Sequence, residues 1–239
     1  MFVCFGDSIT EGKPGVSYVR YLGEGFINKG LGGDTVIGLK KRVEDFLNAE
    51  NTVDKLEGAI IEIGTNDILL PFLKSYSSGW AKVVDKIIES GRIPSKNIDE
   101  FEKYYREIVS LVSDKLLCAI SIPCIGEDIE GEMNRKVEKY NEVIKSICHE
   151  KKITYVDFNL WQKNMIKKEM NNFNRGKSYF VSKEPFVMVM DSIFVVSPLM
   201  TTFVSKLRRL ITTIDGVHLN SFAAKELAKM VKESIIKNS

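Results

Sequence analysis

The sequence predicts an α/β protein with a parallel β-sheet, and two observations support the prediction. Short apolar runs alternate with longer segments of helical periodicity, which is typical of βαβ units. The chain has 239 residues, of which 44% are hydrophobic and 28% are charged. These values suit one soluble globular domain with a single core. We therefore expect one domain spanning residues 1–239.

Five short apolar runs are the predicted strands, at residues 2–5, 25–28, 59–63, 116–122 and 153–158. Helical periodicity predicts helices at 36–47, 80–88, 98–112 and 134–147. A last helix follows Asn220 or Ser221, either of which can cap its first turn. This order gives strands joined by helical crossovers, as a parallel sheet requires.

Charge and cysteine content exclude several kinds of function. The net charge of +2 is too small to predict binding to nucleic acid or to an anionic membrane. The four cysteines form no Cys-x-x-Cys pair and no Cys/His cluster with metal spacing. We therefore expect no metal site, and buried thiols in a reducing compartment.

Neither a signal peptide nor a membrane span is visible in the sequence. Too few apolar residues follow Met1 for a signal peptide. The least interrupted apolar stretch, residues 186–204, contains Asp191 and Pro198, which argues against a transmembrane helix. We expect a cytoplasmic protein.

Ser8 comes directly after the first predicted strand, within Gly6-Asp7-Ser8. Ligands of open parallel sheets bind at the carboxyl ends of the strands, so a nucleophile is useful at this position. Gly6 permits a tight turn, and we expect Asp7 to stabilise that turn without taking part in catalysis. The alternative interpretation is an ordinary Ser/Asp turn or helix cap.

Two further motifs follow the second and third predicted strands. Three glycines at 30–33 allow backbone N–H groups to point at an anion, and Asp34 or Thr35 can cap the next helix. Asn66, within residues 64–67, can donate N–H bonds to a developing oxyanion. A flexible connection and an Asx-turn or N-cap are the respective alternatives.

His218 is one of two histidines, and it has a carboxylate, Asp215, three positions earlier. Asp215 can accept a hydrogen bond from Nδ1 and leave Nε2 free to take a proton from a serine. The other histidine, His149, ends a charged helical stretch and is expected on the surface. Alone, the Asp215–His218 pair would indicate a helix cap and a surface histidine. The four motifs together predict one site at one edge of the sheet.

These motifs resemble the four blocks of the SGNH, or GDSL, hydrolase family, which is named for a Ser, a Gly, an Asn and a His. The matching residues are Ser8, Gly33, Asn66 and His218, the last within Asp-Gly-Val-His-Leu-Asn. Gly33 is chosen over its neighbour Gly32 because it directly precedes Asp-Thr, as in the family pattern. The resemblance covers residues 2 to about 160 and 213 to the end. It implies a flavodoxin-like, three-layer α/β/α sandwich with about five parallel strands.

The resemblance implies a serine esterase that hydrolyses a small acyl ester through an acyl-enzyme on Ser8. His218 is then the base, Asp215 orients it, and the N–H groups of Ser8 and Gly33 form an oxyanion hole with the Asn66 side chain. The expected substrate is an O-acetyl carbohydrate or a short-chain lipid ester, and no cofactor is needed. Three other functions remain open: an acyltransferase, an inactive binding module, and a flavin or nucleotide binder. A homo-oligomeric state is also open.

Residues 171–213 make the chain longer than the minimal family domain. Their start, with Asn171, Asn172 and Asn174, indicates a loop, and residues 203–211 indicate a short basic helix. We expect an insertion with its own structure near the active-site face, and the alternative is a plain extension of the core. The apolar stretch 186–200 suits a lid, an acyl pocket or a subunit interface.

Overall fold

A computed structural model describes residues 1–49, 55–172 and 184–236. Five parallel strands form one sheet in the order β2-β1-β3-β4-β5, which is the flavodoxin-like order. The strands are β1 (Phe2–Gly6), β2 (Phe26–Gly30), β3 (Gly58–Glu62), β4 (Leu116–Ile120) and β5 (Thr154–Val156). The predicted fold class is confirmed, with strand ends displaced by only one or two residues.

Ten α-helices lie in the described part of the chain and cover both faces of the sheet. They are α1 (Ser8–Glu11), α2 (Val36–Asn48), α3 (Thr65–Tyr76), α4 (Ser78–Glu89), α5 (Ile98–Leu111), α6 (Glu132–Lys151), α7 (Phe158–Asn172), α8 (Phe186–Phe194), α9 (Pro198–Leu207) and α10 (Ser221–Ile236). The sequence analysis predicted α2, α4, α5, α6 and α10. It missed α3 because Pro71 lies inside this helix, and proline normally ends a helical pattern.

The expected loop at the start of 171–213 is wrong for Asn171 and Asn172, which end α7. The helix that begins at Phe158 continues through both asparagines, because the weak helix propensity of asparagine is only a modest bias against a helix that has already formed. The Trp161 ring of α7 packs on Phe222 of α10, with the ring centroids 5.6 Å apart. Asn174 lies outside the described residues.

The short helix expected at 203–211 begins earlier and ends earlier, as α9. Ser197 caps it by accepting a hydrogen bond from the N–H of Met200 at 3.3 Å, and Pro198 occupies the first position, where its missing N–H costs nothing. Arg209 then takes a positive φ of 57°, which ends the helix. The start of α9 is therefore set by its capping residues Ser197 and Pro198, and its end by the backbone conformation of Arg209.

The central strands β1 and β3 are buried on both faces, which explains their unbroken apolar sequence. Strand β2 lies at one edge and exposes Ile27. All four cysteines are buried thiols, and His149 is exposed at the end of α6, both as predicted. Among the described helices, none combines the length and the apolar character that a membrane crossing needs.

Candidate active site

The sequence motifs meet at the carboxyl ends of three neighbouring strands. Ser8 begins α1 after β1, Gly33 lies in the loop after β2, and Asn66 lies in the first turn of α3 after β3. Strand β1 lies between β2 and β3, and parallel strands end at the same edge of a sheet. The turn that precedes α10 brings His218 to this edge from the far end of the chain.

Ser8, His218 and Asp215 form a chain of hydrogen bonds. Oγ of Ser8 lies 3.0 Å from Nε2 of His218, and Nδ1 of His218 lies 2.7 Å from Oδ2 of Asp215. Oδ1 of Asp215 accepts hydrogen bonds from the backbone N–H groups of Val217 and His218, at 3.0 and 2.8 Å. One carboxylate oxygen is thus held by its own turn, while the other holds the imidazole.

The electrostatics of this pair favour a proton on the imidazole and a charge on the carboxylate. Burial acts to raise the pKa of Asp215, but the charge of His218 and its hydrogen bonds lower that pKa below the ordinary value. Burial acts to lower the pKa of His218, yet Asp215, Asp7 and Asp191 together raise it above the ordinary value. This environment stabilises an imidazolium, the state that a general base reaches after it takes a proton.

Two buried carboxyl groups lie beneath the serine. Oδ1 of Asp7 accepts a hydrogen bond from the N–H of Ile9 at 2.9 Å, which caps α1 and matches the expected turn. Oε2 of Glu62 accepts a hydrogen bond from the hydroxyl of Thr10 at 3.1 Å. Burial raises the pKa of Asp7 to about 6, and burial together with the charge of Asp7 raises the pKa of Glu62 well above its ordinary value. The sequence analysis missed Glu62, although an acidic residue in a buried strand was a signal for it.

The loop after β2 presents the N–H of Gly33 and not that of Gly32. The N–H of Gly32 donates to Oε2 of Glu11 at 2.7 Å, and its carbonyl accepts a hydrogen bond from Arg92. Gly33 has a φ of 74°, a conformation that favours glycine. Within residues 1–49, 55–172 and 184–236, the backbone N–H groups of Gly33 and Ser8 donate no hydrogen bond. Both donors are available to a substrate.

The Asn66 amide is oriented by the same loop. Its Nδ2 donates one hydrogen bond to the carbonyl of Asp34 at 2.9 Å, which leaves its second N–H available. Oδ2 of Asp34 accepts a hydrogen bond from Nε of Arg42 at 2.8 Å, and the same guanidinium donates to the carbonyl of Gly6 at 2.9 Å. These bonds tie together the ends of all three strands, so the three candidate oxyanion donors have fixed relative positions.

A cavity of about 200 Å³ lies beside Ser8 and His218. Its wall is mostly apolar and comes from α3, α4 and α8, with Leu69, Leu70, Leu73, Trp80, Val83, Ile87 and Met188. Lys13 and Ser192 add polar atoms. Helix α8 lies within the region 171–213, so this part of the chain contributes directly to the wall of the candidate site.

The comparisons with known proteins agree with this architecture. A model of the GDSL-like lipase/acylhydrolase family matches residues 4–173. An acetylxylan esterase from Geobacillus stearothermophilus is 30% identical over 182 residues, which cover 64% of this chain and 73% of that protein.

Solved structures of low sequence identity have the same fold. The acetyl xylan esterase AlAXEase gives a TM-score of 0.63 at 20% identity, covering 98% of this chain and 100% of its own. Axe2, an acetylxylan esterase from Geobacillus stearothermophilus, gives 0.58 at 20% identity, covering 98% and 93%. The chain thus has the SGNH hydrolase fold, and it belongs to the GDSL-like lipase/acylhydrolase family of carboxylic-ester hydrolases.

Proposed function

We propose that this hydrolase cleaves short acyl esters through an acyl-enzyme on Ser8. The observation that supports it is the continuous chain from Oγ of Ser8 through His218 to Asp215, with distances of 3.0 and 2.7 Å. Such a chain activates a serine hydroxyl as nucleophile. Available N–H donors beside it suit the negative charge that develops on an attacked carbonyl oxygen.

In this mechanism Oγ of Ser8 attacks the ester carbonyl while Nε2 of His218 takes the hydroxyl proton. The C–O bond of the ester then breaks, and His218 returns the proton to the leaving alcohol. Water attacks the acyl-enzyme with His218 again as base, which releases the acid and restores Ser8. The N–H groups of Ser8 and Gly33 and the Asn66 amide bind the oxyanion in both steps. Loss of one such donor should raise the activation free energy by roughly 2.7–4 kcal/mol.

The first candidate substrate is an O-acetyl carbohydrate, because relatives in sequence and in fold are acetylxylan esterases. A second candidate, an ester with an acyl chain longer than acetyl, is favoured by the cavity. Its lining is mostly apolar, with Leu69, Leu73, Trp80 and Met188 among its residues, and such a lining suits an acyl chain of several methylenes.

Labelling with a fluorophosphonate tests the nucleophile directly. Intact-mass spectrometry should find one adduct per chain, and peptide mapping should place it on Ser8. Heat-denatured protein is the control and should not react, because labelling requires the assembled Ser8–His218 pair. An adduct on another residue, or none on folded protein, would contradict the proposal.

A Met188→Phe variant should separate the two candidate substrates. The larger side chain narrows the cavity, so hydrolysis of p-nitrophenyl hexanoate should fall at least tenfold, a loss that one or two excluded methylenes account for, while acetate hydrolysis is retained. Val189→Phe is the matched control, because Val189 is on the same helix but exposed and outside the cavity. Two results together would favour the acetyl carbohydrate. The wild type and both variants would hydrolyse the acetate and the hexanoate at equal rates, and they would also hydrolyse acetylated xylo-oligosaccharides.

The pH profile of kcat/KM should have an acid limb with its midpoint above about 6.5, the ordinary imidazole pKa. Only neutral His218 can accept the Ser8 proton, so a raised pKa moves the onset of activity to higher pH. In Asp191→Asn one of the charges that raise this pKa is lost, and the midpoint should move to lower pH. A wild-type midpoint with p-nitrophenyl acetate below the ordinary imidazole pKa of about 6.5 would contradict the prediction that His218, with a raised pKa, is the base.

A further inference from the structure

The turn that carries Asp215 and His218 belongs to no helix and no strand. Its two arms are joined by an isolated bridge between Thr213 and Leu219, and the N–H of Ile214 donates to the carbonyl of His218 at 2.9 Å. Oδ1 of Asp215 and Oγ1 of Thr213 accept further hydrogen bonds within the turn, from Val217 and His218 and from Gly216 respectively. These bonds fix the internal shape of the turn, so its position relative to Ser8 depends on contacts from outside.

The first arm of the turn is held by a buried carboxylate, Glu127, and also by Oγ of Ser205, which donates to the carbonyl of Thr213 at 2.7 Å. The two oxygens of Glu127 accept hydrogen bonds from the backbone N–H groups of Ile211, Thr212 and Thr213, at 2.8, 2.8 and 3.0 Å. They also accept from the hydroxyls of Thr212 and Thr213, at 3.1 and 2.8 Å. Glu127 is only 5% exposed, and these five donors compensate the cost of burying its charge.

The loop that carries Glu127 is itself fixed. Nδ2 of Asn134, in the first turn of α6, donates to the carbonyls of Ile125, Gly126 and Asp128, at 3.1, 3.0 and 2.8 Å. The N–H of Gly126 also donates to the carbonyl of Gly216 at 2.6 Å, at the tip of the catalytic turn. Helix α6 thus anchors this loop through Asn134, and the loop contacts the catalytic turn at two points.

We propose that Glu127 is a positioning residue, which holds residues 211–213 so that Asp215 and His218 stay aligned with Ser8. The proposal rests on the proposed function of Ser8, but it concerns a residue outside the hydrogen-bonded chain. A carboxylate suits this position because three consecutive N–H groups and two hydroxyls donate to it, and both of its oxygens are acceptors, whereas an amide of the same shape has only one acceptor oxygen.

The test compares Glu127→Gln and Glu127→Ala with wild type, using kcat and KM for p-nitrophenyl acetate per folded molecule. Glu127→Ala removes all five acceptor contacts, and a displacement of the turn by about 1 Å should lower kcat about 100-fold with little change in KM. Glu127→Gln keeps the oxygen that accepts four of the five bonds but places an NH₂ group against the Ile211 N–H, so its loss should be intermediate. Val109→Ala, in the buried core of α5, is the control for lost stability and should retain kcat.

Proton NMR supplies a readout that general destabilisation does not change. The short Nδ1–Oδ2 contact of 2.7 Å should give the His218 Nδ1 proton a far-downfield signal, which weakens or shifts in both Glu127 variants and persists in Val109→Ala. If Glu127→Ala does not fold, Glu127→Gln decides. Either of two results in Glu127→Gln, and in Glu127→Ala if it folds, would overturn the proposal. The first is a kcat equal to that of wild type, and the second is an unchanged His218 Nδ1 proton signal. A failure of the serine mechanism would give a different result. Ser8→Ala would then retain activity, but the NMR comparison of the Glu127 variants with wild type would still show whether Glu127 positions His218.

Discussion

Replacing Ser8 by Ala should reduce ester hydrolysis by about 10⁶-fold, as removal of the nucleophile does in other serine hydrolases. The variant keeps the oxyanion donors and the cavity, so a weak residual rate above that of water is expected from binding alone. The loss should appear in kcat, because no acyl-enzyme can form. KM should change little.

The fold should tolerate this change. The Ser8 side chain is small, and the hydrogen bond that it makes is to His218, so the melting temperature should stay close to that of wild type. Ser234→Ala is a matched control: Ser234 is a buried serine that bonds to the Val231 carbonyl in α10, and its variant should retain full activity. Substantial turnover by Ser8→Ala with p-nitrophenyl acetate would reject Ser8 as the nucleophile.

Replacing Asp215 by Asn should lower kcat by about 10⁴-fold, the effect of the same change in the well-studied Ser-His-Asp triad. The Asn carbonyl can still accept the bonds that Oδ1 takes from Val217 and His218. Its NH₂ group then faces Nδ1 and donates to it, so the ring proton moves to Nε2. Nε2 can no longer accept the proton of Ser8.

A matched charge change distinguishes this tautomer effect from simple loss of charge. Asp191→Asn also removes a negative charge that raises the pKa of His218, but Asp191 bonds to Arg208 and not to the imidazole. Its kcat should therefore fall far less than that of Asp215→Asn at the pH plateau. A loss of less than tenfold in Asp215→Asn would show that Asp215 does not fix the tautomer.

The strands were predictable, and the candidate catalytic residues could be proposed, because their signals are local. Buried parallel strands appear as apolar runs, and Ser8, Asn66 and the Asp215–His218 pair stand beside element boundaries that the hydrophobic pattern already marks. The order of blocks then predicted their meeting at one sheet edge, and the Ser8–His218 distance of 3.0 Å across 210 residues agrees with that prediction.

Features that depend on the environment of a residue were not predictable. Helix α3 was missed because Pro71 contradicts the local helical pattern, although its leucines pack in the cavity wall. Glu127 gave no signal because its partners lie 84 to 86 residues away. The choice of Gly33 over Gly32 likewise rested on the family pattern. The structure supplies a physical reason for preferring Gly33, because the N–H of Gly32 already donates to Glu11.

The sequence by itself determined the α/β class and the strand positions, and it supplied the candidates proposed as nucleophile, base and oxyanion donors. These follow from side-chain chemistry and from hydrophobic periodicity, both of which are properties of neighbouring residues. Only the tertiary structure decided that α3, α4 and α8 enclose an apolar cavity beside Ser8, and that Glu127 holds the turn of Asp215. Cavities and buried hydrogen bonds arise between distant segments, whose separation in space is fixed by packing and not by local sequence.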